Sequence, residues 1–576
     1  MKSNYDKFPS VSIEGVLWEG WGAILGALSD ALQGNAVLAV DCYPGVWYAP
    51  LKREITNLPH ALCIDTADLM KPEPEILRMT ADFVTEDALF GYMSNLELQR
   101  YFDPEKLQAA RDRINAHTGT AIVFGYGAAL AGPANVLVYA DMPRWEIQLR
   151  MRKHLVDGLG VQNRHEPFSL QYKRGLFNDW RVCDKHKRTL YEKADFWLDT
   201  TLHDSPRLID QATFHAGLNK TASMPFRVTP FFDPAPWGGQ WMKTVCDLDQ
   251  SAVNYGWCFD CVPEENSLRL KVNGVDFDMP SINLVFVKSR ELLGEQVEAR
   301  FGKEFPIRFD FLDTMEGGNL SLQVHPTTQY AQEHFGIPYT QDESYYLLDA
   351  APDACVFLGL NEGADKNRLI ADLETAREDP AFAFDAEKYV HKIPAQKHDH
   401  FLIPAGTIHC SGKNAMVLEI SATPFIYTFK LWDWQRMGLD GKPRPNNVHR
   451  GKEVINWNRD ARDVTENLVN QFIPVAAGDG WAEEKTGLHP TQFIETRRHR
   501  FTKKVGHHTQ GNLNVLNLVE GREVLVESPE HAFEPVVIHY AETFIVPAAV
   551  GPYTIRPYGT AEGTLCKTMK AFVRTA

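Results

Sequence analysis

Long apolar runs are nearly missing from this 576-residue chain. One stretch, residues 121–140, carries no charge, but Gly125, Gly127, Gly132-Pro133 and Asn135 cut it into pieces of strand length. A membrane helix needs about 20 uninterrupted apolar residues, so two buried parallel strands are the better reading and no membrane segment is expected. The first twenty residues hold no signal-peptide run behind their lysines, and export is not expected. Cysteine is sparse. The nine present include a single C-x-x-C, Cys258 to Cys261. A four-thiolate zinc site would need a second such pair, so two reduced thiols packed side by side in a cytoplasmic protein are expected. Positive charge is also short, with 59 Lys+Arg against 75 Asp+Glu and a net charge of −16. That balance argues against general nucleic-acid or anionic-membrane binding, and any anionic substrate must be held by a few placed cations. The phosphate-cradling G-x-x-x-x-G-K-[ST] is missing too. After the first apolar run stands Asp41-Cys-Tyr-Pro-Gly-Val-Trp47, which offers one glycine and no lysine.

What is present changes character along the chain. Apolar runs at 36–40, 61–64, 121–124 and 136–139 alternate with helical periods at 74–83 and 104–116. This alternation predicts a βαβ, mostly parallel sheet over residues 1–222. Four prolines between Pro225 and Pro236 mark a junction. Short strand-like segments with turns between them follow, interrupted by helices expected at 365–377 and 456–472. They predict an all-β barrel or sandwich over 223–475 and a smaller one over 476–576. The tail's Glu542-Thr-Phe-Ile-Val-Pro-Ala echoes Asp399-His-Phe-Leu-Ile-Pro-Ala, as two related β units would. The most basic stretch, residues 172–188, reads as a solvated face, an interdomain surface or an anion site. The first domain could also serve as a scaffold that caps the β cleft.

Three segments carry candidate chemistry. In Asn319-Leu-Ser-Leu-Gln-Val-His-Pro326, Gln323 and His325 stand two apart on a strand and share a face. Alone, such a pair is more often simply hydrogen-bonded to its surroundings. Glu343 opens the apolar and aromatic run Ser-Tyr-Tyr-Leu-Leu, where a solvated strand start is the competing reading. His409 follows the Pro-Ala-Gly turn of Phe401-Leu-Ile-Pro-Ala-Gly-Thr-Ile-His409, and a packed core histidine is its alternative. Together they offer two imidazoles, one carboxylate and one amide oxygen. Zinc accepts that set, and iron, cobalt or manganese could compete.

On these segments, residues 225–576 resemble the class I mannose-6-phosphate isomerases, the zinc-dependent cupins. The resemblance rests on Trp237-Gly-Gly239, Phe305-Pro-Ile-Arg-Phe-Asp310, Leu320-Ser-Leu-Gln-Val-His-Pro326 and Ile403-Pro-Ala-Gly-Thr-Ile-His409. It implies a cupin (jelly-roll) pair, one Zn²⁺ per chain on Gln323, His325, Glu343 and His409, and aldose–ketose isomerisation of a sugar phosphate. Two positions depart from the pattern. Asp310 stands where the family carries a lysine, and Lys430 where many members carry an arginine, which keeps the charge but loses the bidentate fork. Lys430 and Asp310 are the candidate catalytic residues, with Glu419 a second candidate base. Arg436 and Arg444, near Lys442 and His449, are the candidate substrate-binding cations. The alternative functions are a non-catalytic sugar-phosphate sensor and a bifunctional protein whose first domain, faintly resembling a degenerate P-loop nucleoside kinase, binds a nucleotide.

Overall fold

A computed structural model of the chain describes residues 3–379, 381–422, 427–441, 444, 446–487, 489 and 492–575. The apolar runs of the first part form a seven-stranded sheet in the order Leu17–Glu19, Arg207–Asp210, Phe196–Asp199, Val136–Asp141, Val37–Cys42, Ala121–Gly125 and Leu62–Asp65. The last five of these are mutually parallel. In chain order they run 5-4-1-3-2 across the sheet, so the strand order reverses at Val37–Cys42. Helices cover both faces, which is why Val37–Cys42 and Val136–Asp141 are buried at every residue. Helix Pro104–Ala116 starts where expected, because the Asp103 carboxylate accepts from the backbone N–H groups of Glu105 and Lys106.

The basic stretch is not a solvated face. Helix Trp180–Arg188 lies against the carboxyl ends of the strands and turns part of its charge inward. His186 Nε2 meets Asp41 Oδ2 at 2.8 Å, Lys187 Nζ meets Asp141 Oδ1 at 3.1 Å, and Asp184 pairs with Arg144. Lys187 is fully buried, so an unpaired ammonium there would be prohibitively costly. The crevice at the strand-order reversal, where α/β sheets usually take ligands, is therefore closed by the chain's own ion pairs.

Two layered β units follow. The first sets a six-stranded antiparallel sheet (His400–Ile403, Glu343–Ala350, Ala415–Ala422, Ile307–Asp313, Trp257–Cys261, Phe231–Asp233) beside a five-stranded one. The latter runs Val390–Pro394, Cys355–Leu360, His409–Ser411, Leu322–Val324 and Phe429–Trp432. The tail repeats the plan with six and four strands, and its echo segment Thr543–Val546 sits at the edge of its six-stranded sheet, as His400–Ile403 does in the first unit. Cys258 and Cys261 are free and buried in strand Trp257–Cys261. The helix expected over 456–472 is shorter, Ala461–Asn467, because Asp460 caps it and Asn470 takes a left-handed backbone at φ 51°. The apolar run over 425–431, which reads as a strand, forms strand Phe429–Trp432, and residues 425–426 lie outside those described. The amino-terminal segment crosses between units: Val11–Ile13 pairs in parallel with Leu270–Val272, and Tyr5 Oη donates to Asp260 at 2.7 Å.

The tail's core holds a histidine pair. His507 stacks on Tyr553 and meets His499 at 4.4 Å between ring centroids, with neither of its ring nitrogens hydrogen-bonded. Burial, then His499 and Lys570, push the His507 imidazole well below its ordinary pKa. It stays neutral in the fold and gains a proton on unfolding below pH about 6.5, so its contribution is intact above that pH and is lost as pH falls. Replacing His507 with Phe should reduce the fall in unfolding free energy between pH 6.5 and 5.5 by about 1 kcal/mol. Urea titrations at the two pH values measure this, and an unchanged pH slope would show that His507 is charged in the folded protein.

Candidate functional site

The two sheets of the first β unit bring the predicted ligands to one buried point. Glu343 opens a strand of the six-stranded sheet, while Gln323 and His409 lie opposite each other on neighbouring strands of the other, and His325 follows just beyond Val324. His409 Nε2 stands 2.7 Å from Glu343 Oε1, His325 Nε2 3.2 Å from Glu343 Oε2, and the Gln323 amide 3.2 Å from His409 Nε2. His325 Nδ1 lies 2.9 Å from the Tyr427 carbonyl and His409 Nδ1 2.9 Å from the Thr407 carbonyl. A carbonyl only accepts, so each Nδ1 carries a proton, and in the neutral ring each Nε2 presents a lone pair. Two lone pairs facing a carboxylate in a site closed to water repel unless positive charge lies between them. Burial would raise the Glu343 carboxyl, but His325 and His409, when protonated at Nε2 and so donating to it, outweigh burial and hold the carboxyl well below its ordinary range. His325, Glu343 and His409 have the spacing of a metal-binding group. The donor set fits a divalent ion of borderline softness.

A second layer of acids lies beside this point. Asp310 and Glu419 face each other across paired strands, and Gln341 Nε2 donates to both Glu343, at 3.2 Å, and Glu419, at 3.4 Å. Burial raises Asp310 to about 6 even though Arg308 opposes it. Glu419 is pushed well above its ordinary value by burial, then by Asp310 and Glu343. Glu419 is thus the member of the acid group that takes a proton most readily. The structure separates two of the candidates: Glu419 lines the cavity beside the site, whereas Asp310 is fully buried behind Arg308 and does not. Arg308 Nε donates to Asp310 at 2.9 Å, and the Arg308 side chain borders the cavity. A cation therefore reaches the cavity from two residues earlier on the same strand face as the missing lysine. Sequence reading passed over Arg308, although the period of two could have found it.

The predicted substrate cations gather on one acid. Lys430, Arg436 and Arg444 approach the Asp433 carboxylate at 3.2, 2.8 and 2.6 Å, and Ser321 Oγ donates to it at 3.0 Å. Three positive charges sharing one negative one leave an excess that suits an anionic ligand. Burial, then Arg444, lowers the Lys430 ammonium to about 8. Lys430 and Arg444 line the cavity, Arg436 stands behind them, His449 is exposed on helix Val448–Val454, and Lys442 lies outside the described residues.

The cavity measures about 470 Å³, and its far wall comes from the α/β part of the chain. Trp145, Gln148, Arg152, Tyr172, Lys173 and Phe177 face Gln323, Glu419 and Lys430 across it. Trp145 stacks on Phe231 at 4.2 Å and Phe231 on Phe259 at 4.7 Å, forming an aromatic strip across the junction. Arg152 is clamped to Asp233 by two bonds of 2.6 Å, and Tyr172 Oη donates to Glu265 at 2.7 Å. These wall residues lie more than a hundred positions from the ligand segments, and no local pattern marks them.

A family model described as "Domain of unknown function (DUF8485)" matches residues 20–223. Mannose-6-phosphate isomerase ManA of Bacillus subtilis (strain 168) is 27% identical over 233 residues, which cover 40% of this chain and 68% of that protein. Mannose-6-phosphate isomerase of Streptococcus mutans serotype c is 28% identical over 221 residues, covering 38% of this chain and 64% of that one. The chain thus spans about two thirds of the length of these relatives. The solved mannose 6-phosphate isomerase from Bacillus subtilis aligns with a TM-score of 0.49 at 19% identity, over 60% of this chain and 99% of that one.

Asp433→Asn would leave three crowded cations without their shared carboxylate. A loss of roughly 3 kcal/mol is expected, as for breaking a buried ion pair. Added phosphate should restore part of the lost melting temperature. A variant as stable as the parent, or one indifferent to phosphate, would show that the three cations do not form an anion-binding cluster.

Proposed function

We propose that the chain is a metal-dependent aldose–ketose isomerase of a sugar phosphate. The observation that carries this reading is the convergence of the His325 and His409 Nε2 atoms and both Glu343 oxygens on one buried point beside a cavity with excess positive charge. The names of the curated relatives support it, and so does the cupin resemblance. Gln323, His325, Glu343 and His409 would hold the ion, zinc by the donor set. A bound ion supplies Lewis-acid stabilisation of the negative charge that develops on two neighbouring substrate oxygens.

The chain's own residues do the rest. Lys430 and Arg444 hold the phosphate against the Asp433 cluster, and Arg308 adds a third cation at the cavity wall. Glu419, facing the cavity with its carboxyl pushed up, is placed to take a proton from one substrate carbon as the carboxylate and to return it to the adjacent carbon as the acid. Asp310 acts through Arg308 and Glu419, fixing the guanidinium and raising the carboxyl, and is a positioning residue. The Trp145–Phe177 wall excludes water and sets which sugar fits. The α/β part enters this reading as a wall of the cavity, while Asp41, His186, Asp141 and Lys187 pair with one another in the crevice at its strand-order reversal.

Metal analysis and solvent-proton exchange over a panel of sugar phosphates test the reading together. Wild type should carry one ion per chain and exchange the proton next to the substrate carbonyl. Glu343→Gln and His409→Ala should lose the ion and on the order of 10²–10³-fold in kcat/KM. Full metal content in both variants, or an absence of exchange with every sugar phosphate, would overturn the assignment, and the second result would favour a sensor. Trp145→Ala should raise KM about tenfold with metal content unchanged, as expected for removing one large contact of roughly 1.4 kcal/mol. An unaltered KM would remove the α/β wall from the site.

A further inference from the structure

A second cavity, of about 380 Å³, opens between helix Trp180–Arg188 and the segments that precede strands Ile307–Asp313 and Glu343–Ala350. It shares no lining residue with the first. Five cations border it, Arg144, Arg181, Lys185, Arg188 and Lys303, against the acids Asp184, Glu264 and Glu304.

The acids are mostly spoken for. Asp184 is held by Arg144 and by the Tyr43 hydroxyl at 2.9 Å. Glu304 stands 3.7 Å from Arg181 and accepts from Tyr339 at 3.4 Å. Glu264 is buried with Oε2 unpartnered, and burial raises its carboxyl to about 7, so much of its charge is lost near neutrality. Among the described residues Lys185, Arg188 and Lys303 form no ion pair. Lys185 reaches only the Leu96 carbonyl at 3.3 Å, Lys303 the Phe286 carbonyl at 2.6 Å, and Arg188 the face of Phe286 at 5.2 Å. Positions 181, 185 and 188 stand on one helix face, where like charges repel. Burial, then the neighbouring Arg181 and Arg188, holds the Lys185 ammonium below its ordinary value. A concave patch of surplus positive charge in a chain of net charge −16 is not explained by packing. Phe286, Phe301 and Tyr339 border the same space and give it an aromatic side, with Phe286 next to Arg188 and Lys303.

We infer that this cavity is a second ligand site, which takes a small organic phosphate with its phosphates on Lys185, Arg188 and Lys303 and a flat body against the aromatic side. ADP serves as the probe for this class, pyrophosphate for phosphates without a body, and sodium chloride at matched ionic strength for general screening. Calorimetric titration should give one site for ADP, with weaker binding of pyrophosphate and no saturable effect of chloride. Lys185→Glu with Arg188→Glu, both at the cavity rim, should weaken ADP binding at least tenfold while the unliganded melting temperature stays near that of the parent. Lys430→Ala should leave ADP binding unchanged, which places the ligand outside the first cavity. Equal binding of ADP by the double variant and the parent, loss of binding in Lys430→Ala, pyrophosphate binding as tight as ADP, or no saturable binding would each overturn the proposal. None of these readouts depends on isomerase activity.

Discussion

The Glu343 carboxylate, set between two imidazole lone pairs, is the constraint around which the first β unit is arranged. The carboxylate comes from one sheet and both imidazoles from the other. The sheets must therefore approach closely enough for contacts of 2.7 and 3.2 Å. Backbone carbonyls at Tyr427 and Thr407 fix each ring's proton on the far nitrogen, so the site is defined by main-chain geometry as much as by side chains. The neighbouring acids follow from the same focus. Positive charge at the imidazoles favours the ionised form of Glu343, and the charge of Glu343 helps push the neighbouring Glu419 carboxyl up. Buried acids in one small volume divide into charged and neutral members because they cannot all ionise.

Charge placement carries the argument outward from that point. A strongly acidic chain offers no general attraction to a phosphate, and the structure meets this with local surpluses. In one, three cations share Asp433. In the other, three cations of one helix face, with Arg144 and Lys303, outnumber the three acids bordering the same cavity. Elsewhere in the α/β part the same helix turns its remaining basic groups inward, where Asp41 and Asp141 neutralise them. One short basic stretch thus serves opposite ends on its two faces, which composition alone does not distinguish.

Much of the fold was legible because its signals are local. Alternating apolar runs and capped helices gave the parallel sheet, and the helix over 104–116 was placed to the residue because Asp103-Pro104 is a strong start signal. The ligand segments were legible because strand alternation and the Pro-Ala-Gly turn constrain where Gln323, His325 and His409 point. What was not legible depends on contacts distant in sequence. Asp310 looked like a residue facing substrate, and only the packing of Phe259 and Arg308 shows it one layer back. The Trp145–Phe177 wall has no local signature, because those residues acquire a role only when two separately encoded units meet. The inward pairing of Lys187 and His186 depends on aspartates more than forty positions away.

The pairing of Val11–Ile13 with Leu270–Val272 has a consequence for how the chain is made. That strand is made before its partner and stays unpaired until roughly 260 further residues have followed, and the Asp6 amide then waits for Glu542. Closing so long a loop costs more entropy than any local contact returns at that moment. The seven-stranded sheet can form early on contacts within residues 17–210, while its leading segment stays loose. The last strands then lock the first residues in place, so completion of the amino end reports that the carboxyl end has folded.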